Sequence, residues 1–331
     1  MLPLRVAIIG TGIMGRGHGE FIRDHVKEAT VVALSDVDSN RVNALAADLG
    51  GQDFVATFNS LDEMLNKAKP DALIIASPDN LHTEHLRIAL KHDISVLCEK
   101  PIAITLEDAR SIANEVRAYE KSAGGKRVHY GFMRRFDPSY LQLRTLMESG
   151  DYGQPLFIRT ITRNVTSSGI TTEGLYTNIA VHDFDVWRWL TKSEWKKVDS
   201  HYPKSSSLSP QGIIDPLVFT AQLENELMIV ADIVANDNYG YDLRTEVLCE
   251  KGSLEIGTFG DVYIRANHFA GTPLGGQMVD NWIPRFKDAY IAELKAWVSS
   301  VQTGEIHPDL ADVEDALAAT EACFLALKSL N

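Results

Sequence analysis

Along roughly the first 130 residues, short apolar runs without polar alternation take turns with stretches in which apolar positions recur every three or four residues. Leu4–Ile9 precedes a helix predicted from Gly15, and Thr30–Leu34 precedes one that Ser39 caps. Asp53–Phe58 precedes Leu61–Leu65, Ala72–Ala76 precedes His82–Lys91, and Ile94–Cys98 precedes Thr105–Tyr119. Strands that are apolar at successive positions have both faces covered, so the alternation predicts a doubly wound parallel sheet of the Rossmann type, an α/β fold. Thr105, with Glu107 and Asp108 in the next turn, is a favourable helix start. The polar, glycine-containing segment 120–126 reads as a loop before a last strand, Val128–Tyr130.

After a predicted helix over Ser139–Ser149 the rhythm changes. Leu156–Arg163, Lys197–Tyr202, Leu217–Leu223, Glu226–Ala235, Leu243–Cys249, Ser253–Ile256 and Val262–Arg265 are strand candidates, most of them joined by polar or glycine-containing turns. They predict a second, open and mostly antiparallel sheet with flanking helices, an α+β arrangement. One helix, about His182–Leu190, interrupts it, and two amphipathic helices, about Pro284–Thr303 and Pro308–Leu330, close the chain. Gly304 and Pro308 punctuate that last pair. The expected division is residues 1–130 as a dinucleotide-binding domain and 131–331 as a substrate-binding and oligomerisation domain.

Composition narrows the partners. The chain of 331 residues exceeds the size at which one core keeps growing, and 45% apolar content is ample for two. A net charge of −13, with no run of Lys or Arg, argues against nucleic acid and anionic membranes. Cys98, Cys249 and Cys323 are odd in number and widely spaced, which fits a reducing compartment and predicts a cytoplasmic protein. The first apolar run is too short and wrongly flanked for a signal peptide. No stretch approaches the roughly 20 apolar residues that span a bilayer.

The glycines Gly10, Gly12 and Gly15 follow a six-residue apolar strand and open a helix. Gly10 permits a tight turn, Gly12 lets a pyrophosphate approach the backbone, and Gly15 lets helix pack on strand. The helix N–H groups then face the phosphates. Asp36, at the end of the next strand, can accept from ribose hydroxyls, and its charge repels a 2′-phosphate. With Val37 and Asp38 next and no arginine between Asp36 and Arg41, NAD is favoured over NADP. Where the fourth strand ends, Ser77, Pro78, Asn80 and His82 offer small polar groups to the nicotinamide-side ribose. Gly10, Gly12, Ile13, Met14, Gly15, Asp36, Ser77, Pro78, Asn80, His82, Glu99 and Lys100 are thus the expected cofactor contacts. His82 and His85 lack a third ligand, so no metal is expected.

Two residues are candidates for chemistry. Lys100, between Glu99 and Pro101, lies where a buried strand runs out, at the carboxyl edge where ligands of open α/β sheets bind. A cation there stabilises negative charge on an oxygen becoming a carbonyl. His182 has the side chain suited to accept a proton near neutrality, and Asn178, four residues earlier, shares its face if both lie on a helix.

Lys100 within Glu-Lys-Pro, the Gly10–Gly15 glycines with Asp36, and the segment Gly131-Phe132-Met133-Arg134-Arg135-Phe136-Asp137-Pro138 together resemble the Gfo/Idh/MocA oxidoreductases, in particular their inositol-oxidising branch. The resemblance runs through Arg163-Asn164, Val181–Asp185 and Asn238-Tyr239-Gly240-Tyr241-Asp242. It implies NAD-dependent oxidation of a ring hydroxyl of a cyclitol or related sugar, with His182 taking the hydroxyl proton and Lys100 holding the same oxygen. Arg134, Asn164, Asn178 and Tyr241 match positions expected to meet the polyol, and family members usually assemble as homotetramers through the open sheet. Where the resemblance leads one to expect an aspartate, this chain has Asn178, which carries no charge to strengthen His182 as a base. That departure keeps two alternatives open: a dehydrogenase of a different sugar or aldose, and a dinucleotide-sensing regulator without catalysis.

Overall fold

The computed structural model describes residues 2–51, 53–165, 169–207, 209–237, 239–257 and 281–330. The chain forms two compact units, Met1–Phe136 with Asp288–Thr320, and Asp137–Lys287 with Glu321–Asn331.

In the first unit, β1 (Leu4–Ile9), β2 (Ala29–Ser35), β3 (Ala56–Phe58), β4 (Ala72–Ile75), β5 (Ser95–Glu99) and β6 (Val128–Gly131) form one all-parallel sheet in the order β3-β2-β1-β4-β5-β6. Between them run α1 (Ile13–His25), α2 (Ser39–Asp48), α3 (Leu61–Ala68), α4 (His82–Lys91) and α5 (Leu106–Ala123). Val6, Ala7, Ile8, Ile74, Ile75, Val96 and Cys98 are all fully enclosed, which is why these strands carry no polar alternation. Each of these valines and isoleucines contributes about 1.5–3 kcal/mol on burial. The strand order reverses between β1 and β4. Register aligns Ile9 with Ser35 and Ile75, and Ile75 with Cys98. Gly10, Asp36, Ala76 and the Glu99–Lys100 step therefore leave the sheet at one edge.

Several boundaries differ from the sequence reading, each for a local reason. α2 is capped by Asp38 rather than Ser39, because the Asp38 carboxylate accepts from the N–H groups of Asn40 and Arg41. β3 holds only Ala56–Phe58, since Gly50 and Gly51, at φ +123° and +93°, turn the chain, and the N–H groups of Phe54 and Val55 bond the Gly51 carbonyl. α5 continues through the expected loop to Ala123: the buried Glu120 carboxylate accepts from the N–H groups of Arg127 and Val128, and Gly124 at φ +75° ends the helix.

In the second unit, β7 (Pro155–Arg163), β8 (Trp195–His201), β9 (Leu217–Leu223), β10 (Met228–Val234), β11 (Asp242–Cys249) and β12 (Gly252–Ile256) order as β12-β11-β7-β10-β9-β8. Only the β7–β10 pair is parallel. β10 starts two residues later than expected because Glu226, at φ +68°, belongs to the preceding turn. Asp137 caps α6 (Pro138–Ser149). The predicted helix around His182 is longer: a helical turn α7 (Thr172–Gly174), a π-helical segment (Leu175–Ala180) and α8 (Val181–Thr191) follow without a break. α9 (Trp282–Thr303) and α10 (Val313–Lys328) end the chain. α10 begins after Pro308 rather than at it, because the Ala311 carbonyl takes the Tyr130 N–H and Asp312 caps the N–H groups of Glu314 and Asp315. The predicted strand Val262–Arg265 lies outside the described residues.

Among the described residues no helix is long and apolar enough to cross a membrane, and no cluster of His, Cys, Asp and Glu could hold a metal.

His129 on β6 is buried, and neither ring nitrogen has a partner. Burial pushes its pKa down from 6.5 to about 4. The unfolded chain thus binds this proton first, and the stability that neutral His129 preserves at neutral pH is lost as pH falls through this window. His129→Leu is expected to remove about 3 kcal/mol from the difference in unfolding free energy between pH 7 and pH 4. Urea titrations at the two pH values check this.

Candidate functional site

At the end of β1 the chain turns at Gly10, whose N–H bonds the Ser35 carbonyl at 2.8 Å and whose φ is +89°. A Cβ there would run into the Ala76 carbonyl, and one at Gly15 would strike the Gly10 carbonyl. Gly12 is different: a Cβ would meet nothing within 4 Å. Its openness keeps the approach to the backbone clear, and α1 has neither a side-chain cap nor an acid in its first turn. The N–H groups of that turn, with Ile13 and Met14, are left for an anion.

Asp36 closes this loop. Its Oδ2 accepts from the Thr11 N–H at 2.7 Å and the Thr11 hydroxyl at 3.0 Å, while Oδ1 accepts from the Asp38 N–H at 3.0 Å. Partial burial opposes the charge, but these donors outweigh it and hold the carboxyl below its ordinary pKa. A carboxylate has about four acceptor sites, so at least one remains for a ribose hydroxyl. Arg41 pairs with Asp38 at 3.1 Å. The open glycine backbone, uncapped helix and ionised acid fit a dinucleotide whose adenosine ribose carries no phosphate. Thr11, which the sequence reading passed over, ties the two halves of this site together; its hydroxyl beside Gly10 was the available signal. Asp36→Ala is expected to raise the KM for NAD by about tenfold or more and to narrow the NAD-to-NADP preference, as initial rates with the two cofactors would show.

After β4, Ser77 bonds His85 Nδ1 through its hydroxyl at 2.8 Å. Pro78 and the short turn Asp79–Leu81, which holds Asn80, lead into α4. His82, at the start of α4, is fully enclosed and has one ring nitrogen on the Pro101 carbonyl and the other on the Ser77 carbonyl. After β5 comes Lys100, joined to Pro101 by a cis peptide bond. Glu99, one residue earlier, is buried, and its Oε1 lies 2.7 Å from His18 Nε2 on α1. Burial works against its charge, but the His18 hydrogen bond and the positive charges of Lys100 and His82 hold the carboxyl below its usual range. A Cβ on Gly131, at the end of β6, would lie 3.1 Å from the Glu99 carboxylate, so glycine there leaves the acid its place. Arg134, in the short turn Met133–Phe136, is 2% exposed, and its neighbour Arg135 pairs with Asp315 at 3.0 Å.

The remaining predicted residues gather in the second unit. His182 is the second residue of α8, and the Asp183 beside it is buried and accepts from the Thr162 hydroxyl on β7 at 3.1 Å. That bond pins the start of α8 to the end of β7, where Asn164 follows. Pairing of Arg163 with Asp242 sets Tyr241 beside Asn164. Asn164 is held by its backbone, N–H to Val234 and carbonyl to Asp237. Tyr241 is 7% exposed and meets Phe286 edge-on at 6.3 Å. Asn178 lies in the π segment, so four residues fall short of one of its wider turns, and Asn178 is rotated off the row through His182 that an α-helix would give. The sequence carries no signal for this. Asp237 was also missed: it accepts from the N–H groups of Tyr239 and Gly240, and burial pushes its pKa up to about 6.

The geometry has counterparts in known proteins. Residues 4–124 match the family model described as an oxidoreductase family with an NAD-binding Rossmann fold, and residues 140–255 match the GFO/IDH/MocA C-terminal domain. The chain is 34% identical over 98% of its length to inositol 2-dehydrogenase 1 of Saccharopolyspora erythraea, covering 94% of that protein. It is 35% identical to inositol 2-dehydrogenase 1 of Paenarthrobacter aurescens, with 98% and 94% coverage. Among solved structures, myo-inositol dehydrogenase of Lactobacillus casei in complex with NAD(H) and myo-inositol aligns with a TM-score of 0.88 and 27% identity, covering 99% of this chain and 94% of that one. The scyllo-inositol dehydrogenase of the same organism, with NAD(H) and scyllo-inositol bound, aligns at 0.85 and 25%, covering 99% and 97%.

Proposed function

The chain belongs to the GFO/IDH/MocA oxidoreductase family and is an NAD-dependent dehydrogenase acting on CH–OH groups, and from that premise we propose that it oxidises one ring hydroxyl of a cyclitol to the ketone. The observation that carries the reading is full-length similarity to inositol 2-dehydrogenases, together with a lysine where β5 leaves the sheet. Bound NAD supplies the hydride acceptor. His182 accepts the hydroxyl proton, and Lys100 holds the oxygen and stabilises its negative charge as the C–O bond gains double-bond character. Arg134, Asn164, Asn178 and Tyr241 hydrogen-bond the remaining hydroxyls, which is how an uncharged polyol is recognised.

The amide at Asn178 favours a second reading, in which another sugar or an aldose is the substrate. A panel of inositol stereoisomers, aldoses and sugar alcohols, read by the absorbance of reduced nicotinamide, separates the two. The highest kcat/KM is expected on an inositol, and a preference of about a hundredfold for an aldose would overturn the cyclitol reading.

The same reading includes assembly into a homo-oligomer, a tetramer or a dimer, through the outer face of the second sheet. Register lines up Leu248, Phe157 and Met228 as an apolar row across β11, β7 and β10, with Met228 and Leu248 45% and 44% exposed. Light scattering is expected to give a mass of two or four chains; the mass of one chain would contradict this. The three cysteines are buried and unbridged, which supports the cytoplasmic reading.

A further inference from the structure

We propose that His82 is a buried imidazolium that fastens the loop after β4 to the loop after β5 and thereby positions Lys100. Its ring is 0% exposed. Nδ1 lies 2.8 Å from the Pro101 carbonyl oxygen and Nε2 lies 2.9 Å from the Ser77 carbonyl oxygen. A carbonyl only accepts. A neutral imidazole has one N–H, so it would satisfy one of these oxygens and turn a lone pair toward the other at hydrogen-bond distance. With an N–H on both nitrogens both bonds form, and the ring carries a positive charge. A buried charge needs an opposite one close by. Glu99, buried at the end of β5, interacts electrostatically with His82: burial works against its charge, and His18, Lys100 and His82 hold its carboxyl below the usual range. His85, one turn further along α4, is also coupled to this ring; burial lowers its pKa, the nearby Glu84 raises it, and His82 lowers it further.

The two carbonyls belong to the residues that frame the site. Ser77 opens the stretch expected to meet the nicotinamide-side ribose, and Pro101 follows Lys100 directly. One rigid ring with two charge-assisted bonds fixes their separation, and so fixes the peptide from which the Lys100 side chain extends. His82 is thus a positioning residue: it acts through Lys100 and Ser77 without touching the reacting atoms. His82, which with His85 invited comparison with a metal site in the sequence, has both nitrogens committed to backbone carbonyls.

The functional half of this inference rests on the reading of Lys100 as the residue on the reacting oxygen, so two readouts separate them. Nitrogen NMR of histidine-labelled wild-type protein, with the His82 signals assigned by their loss in His82→Gln, is expected to show both ring nitrogens protonated at a pH where exposed histidines are neutral. A pyridine-type nitrogen at that pH overturns the imidazolium, whatever Lys100 does. In kinetics, His82→Leu is expected to lower kcat by about a hundredfold, the scale of a misplacement of about 1 Å at a reacting centre. His82→Gln, whose amide carries two N–H donors, is expected to recover most of it. Unchanged kcat in His82→Gln together with full activity in His82→Leu overturns the positioning role. If His82→Leu does not fold, a folded His82→Gln enzyme whose kcat is still lowered by about a hundredfold overturns it equally, because its two amide donors should hold both carbonyls. Failure of the Lys100 reading would appear instead as turnover retained in Lys100→Ala, with the His82 signals unmoved.

Discussion

Lys100→Ala is expected to lower kcat on the preferred cyclitol by about a thousandfold while changing the dissociation constant for NAD by less than about threefold. The physical reason lies in where β5 ends. Its residues are buried through Glu99, so Lys100 is the first side chain of that strand to leave the sheet's interior, at the edge where Gly10, Asp36 and Ser77 also emerge. On the proposed reading a dinucleotide has its own anchors there in the α1 N-terminus and Asp36, so its affinity should survive the loss of a lysine further along the edge. The substrate oxygen, by contrast, gains negative charge as its proton leaves, and an ammonium worth little to the ground state is worth several kcal/mol at that moment. Steady-state kinetics with calorimetric NAD binding checks the split. Loss of NAD affinity with kcat retained would assign the lysine to the cofactor instead.

His182→Gln is expected to cost about 10² to 10⁴ in kcat, the range of a lost general base. The residual rate should then rise with hydroxide concentration, because solvent must take the proton. The wild type should show an acid limb set by His182, and the variant should lack it. Asn178→Asp probes the same group from its neighbour. A carboxylate there stabilises the imidazolium and strengthens the base, so the acid limb should move to higher pH and the plateau rate should rise. An unmoved limb would mean that Asn178, rotated by the π segment, does not act on His182.

The first sheet was legible because its cause is local: strands buried on both faces write unbroken apolar runs, and glycine has one reason to stand where a Cβ would strike Ala76 or Gly10. The Asp36 and Lys100 positions followed from the same strand ends. What the sequence hid depends on contacts distant in the chain or on backbone geometry without a residue signature. Thr11 on Asp36 and His18 on Glu99 join residues 25 and 81 apart. The π segment at 175–180 has no glycine or proline to announce it. Polar composition at Glu120–Ala123 suggested a loop, yet those residues stay helical because Glu120 is buried and bonded to two N–H groups. His82 drew attention as a possible metal ligand, and only the carbonyls of Ser77 and Pro101 disclose its commitments.

Isotope transfer reads out whether hydride passes from a cyclitol ring carbon to NAD in this chain. With myo-inositol and scyllo-inositol deuterated at every ring carbon, the reduced nicotinamide of the product NADH is expected to carry deuterium, the rate to fall relative to the unlabelled substrate, and deuterium transfer in Lys100→Ala to be about a thousandfold slower. NAD that binds tightly yet receives no deuterium from either cyclitol would contradict it.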